Sequence, residues 1–67
     1  MKVTSSNIAD ILYNEDTNEL AVEFLNGSIY VYQDVPEHIF TEFLEAESHG
    51  KYFYANVRDR FIFRKER

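Results

Sequence analysis

The stretch Glu19-Leu20-Ala21-Val22-Glu23-Phe24-Leu25-Asn26-Gly27-Ser28-Ile29-Tyr30-Val31-Tyr32 decides the fold. Apolar residues alternate on both sides of Asn26-Gly27, and side chains alternate across a strand. Asn-Gly between two such runs is the strongest short-range hairpin signal, because a type I′ turn needs positive φ at both central residues. A two-residue turn sets Phe24 opposite Ile29, Val22 opposite Val31 and Ala21 opposite Tyr32. One face then holds Leu20, Val22, Phe24, Ile29 and Val31, and reads as the core face. The other holds Ala21, Glu23, Leu25, Ser28, Tyr30 and Tyr32.

On the N-terminal side, Ile8 to Tyr13 reads as a first strand, and Asn14 to Asn18 is a run of turn formers. Met1 to Asn7 is polar and reads as a frayed lead-in, residues 1–5 most of all. On the C-terminal side, Asp34-Val35-Pro36-Glu37 starts a helix, with Asp34 as cap, Glu37 returning the bond and Pro36 in the first turn. Ile39, Phe40, Phe43 and Leu44 form one buried stripe, and Gly50 is the natural stop. Tyr52-Phe53-Tyr54 would equally suit a strand, but Phe53 and Val57, four apart, favour a second, short helix over Lys51 to Arg58. Phe61 and Phe63 alternate with Arg60, Ile62 and Arg64, an extended tail that can add to the sheet. The fold expected is α+β: a three-stranded antiparallel meander on one main helix, a short second helix and an optional short C-terminal strand. The core expected is Ile11, Leu20, Val22, Phe24, Ile29, Val31, Ile39, Phe43, Leu44, Phe53 and Val57.

Sixty-seven residues bound the chain to one domain, residues 1–67, with 64–67 as a tail. A core this small is marginal, and with no cysteine there is neither a disulfide nor a thiolate metal site to support it. A homo-oligomer is therefore expected, covering the surplus tyrosine face. No apolar run is long enough for a membrane span or a signal peptide, so the expected location is the cytoplasm. The net charge is −5, unevenly spread: residues 1–50 hold one basic residue against ten acidic ones, and residues 51–67 hold six basic against two acidic. Such a body repels a polyanion at long range, while the basic segment leaves room for a local anion site. The plainer reading is that the two ends neutralise each other.

Chemistry-bearing motifs are few. His38 and His49 stand in no ligand spacing and read as surface histidines, His49 favouring the negative end of the helix dipole. Glu15/Asp16 and Glu45/Glu47 lack a third ligand type, so neither metal nor other cofactor is expected. There is no nucleophile motif and no glycine-rich loop, so the chain reads as a non-enzyme. Tyr30 and Tyr32 share a strand face. Their plain reading is cross-strand packing; their functional reading is a stacking platform. With Tyr52, and with Arg58 and Arg60 to pair with charge, that platform becomes a site for a nucleotide-type or other anionic small ligand.

The pattern Ser6-Asn7-Ile8, Tyr13, Phe24-x-Asn26-Gly27-x-x-Tyr30-x-Tyr32, Val35-Pro36, Ser48-x-Gly50-x-Tyr52-Phe53 and Val57-Arg58 resembles the KTSC domain. The resemblance covers roughly residues 5–63. That family takes its name from the C-terminus of some lysyl-tRNA synthetases and includes free-standing bacterial and phage proteins. The resemblance implies RNA (tRNA) binding by analogy with the synthetases, or, by analogy with phage members, protein–protein interaction with a host factor or capture of a host signal. Two positions depart from the pattern. Tyr54 stands where asparagine is frequent, which alters any polar site. Ile62 stands in a segment that often carries proline, which favours a terminal strand.

Overall fold

The structure, a computed structural model, describes residues 7–67; the lead-in read at residues 1–5 lies outside the described residues. Four strands and two helices follow in chain order: β1 Ile8–Asn14, β2 Glu19–Phe24, β3 Ile29–Tyr32, α1 Glu37–Glu45, α2 His49–Asn56 and β4 Phe63–Lys65. The strands form one antiparallel sheet in the order β1-β2-β3-β4. The α+β class holds, and the C-terminal strand completes the meander. Residues 64–65 belong to that strand, and the Glu66 and Arg67 amides go on bonding the Ile29 carbonyl.

The register of the central hairpin differs from expectation by one residue. Leu20 lies opposite Tyr32, Ala21 opposite Val31, Val22 opposite Tyr30 and Glu23 opposite Ile29. The cause is the loop. The Phe24 amide donates to the Ser28 carbonyl (2.8 Å), and the Gly27 amide donates to the Phe24 carbonyl (2.9 Å). Gly27 has φ +91°, whereas Asn26 has no positive φ. This is a three-residue loop, a type I turn followed by a left-handed glycine, and not a two-residue type I′ turn. The Asn26 side chain closes it by accepting from the Ser28 amide at 3.0 Å.

A one-residue slip exchanges the two faces of a strand. Tyr30 and Tyr32 therefore join Leu20, Val22 and Phe24 on the inner face, under the helices. Ile29 and Val31 turn outward beside Glu23 and Ala21. Val31 stays buried there because Arg64, its neighbour on β4, reaches across β3 to Glu19 on β2.

The core cluster is Ile8, Ile11, Leu20, Val22, Tyr32, Val35, Phe43, Phe53 and Val57. Ile8 joins Ile11, three positions away, because the register shifts between Ile8 and Asp10; the extra residue of a bulge returns both side chains to one face. Val35 is fixed from two sides. Its carbonyl accepts from the Tyr13 hydroxyl at 2.6 Å, and its amide donates to the Asn18 carbonyl at 2.9 Å.

Two helix-end readings are corrected. Asp34 does not cap α1: it sits in the left-handed region at φ 55°, Pro36 is the N-cap, and no side chain makes a cap hydrogen bond. A short polar side chain tolerates that backbone, and it is where the chain bends into the helix. Gly50 does not end α1, which stops at Glu45; it lies in the first turn of α2, whose cap is Ser48, with Oγ accepting from the Lys51 amide. Of the apolar stripe, Phe43 is fully buried, and Ile39, Phe40 and Leu44 pack against the core in part.

A β-carbon at position 27 meets nothing within 4 Å, so its cost is backbone conformation alone. Gly27→Val is expected to lose about 1–3 kcal/mol and Gly27→Asn clearly less, because asparagine accepts a left-handed φ. Thermal and urea denaturation of both variants checks this; equal losses would mean that the loop does not hold position 27 left-handed.

Candidate functional site

Six rings meet where the inner face of the sheet runs under α2. Tyr30 and Tyr32 come from β3, Phe24 from the end of β2, Phe53 and Tyr54 from α2, and Phe63 from β4. Phe53 packs edge-on against Phe24 (5.5 Å between centroids), Tyr32 (5.8 Å) and Tyr54 (5.6 Å). Phe63 lies tilted beside Tyr30 (5.6 Å) and Tyr32 (5.4 Å). Edge-on and tilted contacts set the positive rim of one ring against the negative face of another.

These rings surround a cavity of about 660 Å³, within the usual range for small-molecule sites. Asn7, Asn26, Ser28, Arg58 and Asp59 also line it. The exit from α2 positions Arg58. The Phe53 carbonyl accepts from both the Val57 amide (3.0 Å) and the Arg58 amide (2.9 Å), which fixes the direction in which the chain leaves the helix. The Arg58 guanidinium lies over the Tyr54 ring, 5.1 Å from its centroid. Among the described residues Arg58 forms no ion pair; the arginines that do are Arg64, with Glu19 (2.9 Å) and Glu66 (2.6 Å), and Arg67, with Glu23 (3.6 Å). The basic segment thus partly neutralises the acidic body within one chain. Arg64 holds the Glu19 carboxyl below its ordinary range, mainly through their hydrogen bond.

Of the five expected site residues, Tyr30, Tyr32 and Arg58 meet at this cavity. Tyr52 does not. It stacks on Phe43 (5.5 Å, 22°) and donates its hydroxyl to Glu42 Oε1 at 3.0 Å. Arg60 is exposed beyond the cavity, two residues past Arg58 in the same turn. Tyr54, Asp59 and Phe63 line the cavity without having been expected there. Tyr54 was within reach of sequence: it stands four residues before Arg58, one helical turn away. Phe63 depends on the β3–β4 register, which no local signal specifies.

Tyr30 and Tyr32 are packed inside their own chain and do not form the uncovered platform from which the sequence predicts self-association. His49 is not on the open surface. It lies half-buried at the start of α2, and its Nε2–H donates to the Leu44 carbonyl in the last turn of α1 (3.2 Å). The negative end of a helix is satisfied as expected, but from the next helix. No group of three or more potential metal ligands occurs among the described residues, and none of the described helices is long and apolar enough to cross a membrane.

Comparison with known proteins gives this architecture its place. The sequence pattern of the KTSC domain matches residues 4–61. A crystal structure of a KTSC domain protein from Yersinia pestis superposes with a TM-score of 0.92 at 35% identity, covering 97% of this chain and 92% of that one. A protein from Tsukamurella paurometabola is 37% identical over 88% of both chains. A lysine–tRNA ligase from Trichormus variabilis is 34% identical over 91% of this chain, which spans 11% of the ligase. The chain belongs to the KTSC domain family.

Burial pushes the Tyr32 phenol up to about 12, with Tyr30 and Asp59 adding to the shift and Arg58 opposing it. Burial and then the Glu42 bond push Tyr52 up to about 12. A folded pKa above the unfolded one favours the neutral phenol in the fold. Their contribution is complete below pH 10 and is lost as pH rises from about 10 towards 12. Wild-type stability is expected to fall across that window, and to fall less steeply in Tyr32→Phe. Urea denaturation at stepped pH measures it; parallel profiles for the two proteins would show that Tyr32 titrates normally.

Proposed function

We propose that this KTSC domain is a non-enzymatic binding module whose cavity takes a small aromatic ligand carrying negative charge, of the nucleotide type. One observation carries the reading: an arginine with no ion-pair partner among the described residues sits over a tyrosine at the lip of a ring-walled cavity. A planar ligand body finds rings to stack on, and a phosphate finds the guanidinium fork. Nothing in this role calls for bond breaking, and no acid–base pair or nucleophile motif stands out in the sequence.

The lysine–tRNA ligase relatives favour a second reading, in which the domain grips RNA. Tracking a strand takes several phosphate contacts. Here Arg64 and Arg67 are already engaged by Glu19, Glu66 and Glu23, and Arg58 is the one cationic side chain among the described residues lining the cavity, an arrangement better suited to one phosphate than to many.

Calorimetry of the wild type, Arg58→Gln and Arg58→Lys against mononucleotides, cyclic nucleotides and a short RNA tests both readings. Arg58→Gln is expected to weaken mononucleotide binding by about tenfold or more, and Arg58→Lys to restore only part, since an ammonium lacks the planar fork. Stability of both variants is expected to stay within about 1 kcal/mol of the wild type, because Arg58 is exposed and its side chain's partner among the described residues is a ring. Equal binding by all three proteins, or no mononucleotide binding by the wild type, would overturn the proposal. Binding only to RNA, steeply weakened by salt, would favour the ligase-like role.

A further inference from the structure

Asp59 follows Arg58 directly, and both line the cavity. Neither forms an ion pair among the described residues. Tyr32 lines that cavity with them, and the two side chains act on its phenol in opposite senses. A carboxylate in an anion site repels the anion, and the chain already carries a charge of −5. Its place beside Arg58 makes sense when the ligand brings hydrogen-bond donors close to its negative group. An ionised carboxylate only accepts, and its two oxygens match two adjacent hydroxyls.

Building on the nucleotide reading above, we propose that Asp59 accepts hydrogen bonds from the sugar hydroxyls of a ribonucleotide, with its phosphate on Arg58 and its base among the rings of Tyr30, Tyr54 and Phe63. In one nucleotide the phosphate and the sugar diol are neighbours, as the two side chains are. A carboxylate on the ribose 2′-hydroxyl is a recurrent solution in nucleotide sites, and that hydroxyl separates ribonucleotides from deoxyribonucleotides. The cavity is thus a selector for ribose as well as a cradle for a base.

The test is calorimetry of the wild type, Asp59→Asn and Arg58→Gln with adenosine monophosphate, its 2′-deoxy form and its 2′,3′-dideoxy form, with L-tryptophan as a non-nucleotide amphoteric probe. The wild type is expected to prefer the ribonucleotide by about tenfold, the effect of one hydrogen bond to a charged group. Asp59→Asn is expected to lose most of that preference while still binding the deoxy form. Arg58→Gln is expected to weaken all three nucleotides together and keep their ratio. Indistinguishable wild-type affinities for the ribo and deoxy forms would overturn the ribose assignment alone. So would an unchanged preference in Asp59→Asn, or tighter ribonucleotide binding by it, the mark of a mere repeller. Binding of L-tryptophan with no nucleotide binding at all would overturn the nucleotide reading and this one with it.

Discussion

Strand side chains repeat every two residues, so everything in this domain depends on whether the hairpin loop holds two residues or three. The left-handed Gly27 closes a loop of three. With that one extra residue, Tyr30 and Tyr32 come under α2 beside Phe24, and Phe53 finds rings on both sides of the sheet's centre. With a loop of two, the same strands would bury Ile29 and Val31 and leave the tyrosines outside. The core, the cavity and the placement of Phe63 against Tyr30 and Tyr32 all follow from that local geometry.

Much of the architecture was legible from residues 8–32, 37–57 and 61–64. Alternation marked the strands, the Ile39-Phe40-Phe43-Leu44 stripe marked α1, and the phenylalanines of the C-terminal segment marked β4. What was not legible lay where two local solutions compete. Asn-Gly serves a two-residue I′ turn and, with glycine alone left-handed, a three-residue loop; composition does not separate them. Asp34 reads as a cap but takes a bend, because Val35 is held by Tyr13 and Asn18 from a distant turn. Gly50 reads as a stop, but Ser48 two residues earlier opens a new helix. The site divides in the same way. Tyr30, Tyr32 and Arg58 carry both the family resemblance and the cavity. Tyr52 carries the resemblance for a structural reason: it stacks on Phe43 and ties α2 to Glu42 of α1.

The charge layout reads differently once the chain is folded. The acidic body and the basic end meet within one sheet: Glu19 and Glu23 on β2 take Arg64 and Arg67 across β3. Exposed pairs of this kind contribute little to stability. Among the described residues Arg58 is the cationic side chain that lines the cavity, and these pairs do not draw on it.

The distribution of rings also gives the protein a built-in optical probe. The chain has no tryptophan, and its near-ultraviolet signal comes from five tyrosines and six phenylalanines. Tyr30, Tyr32 and Tyr54 all line the cavity, and Tyr32 and Tyr54 are joined through Phe53 to Phe43 in the core. Near-ultraviolet circular dichroism depends on rings held in fixed asymmetric surroundings. In this molecule three of the five tyrosines report on the cavity wall, so loosening or repacking of that wall changes the spectrum of the unlabelled protein, with no dye and no introduced reporter.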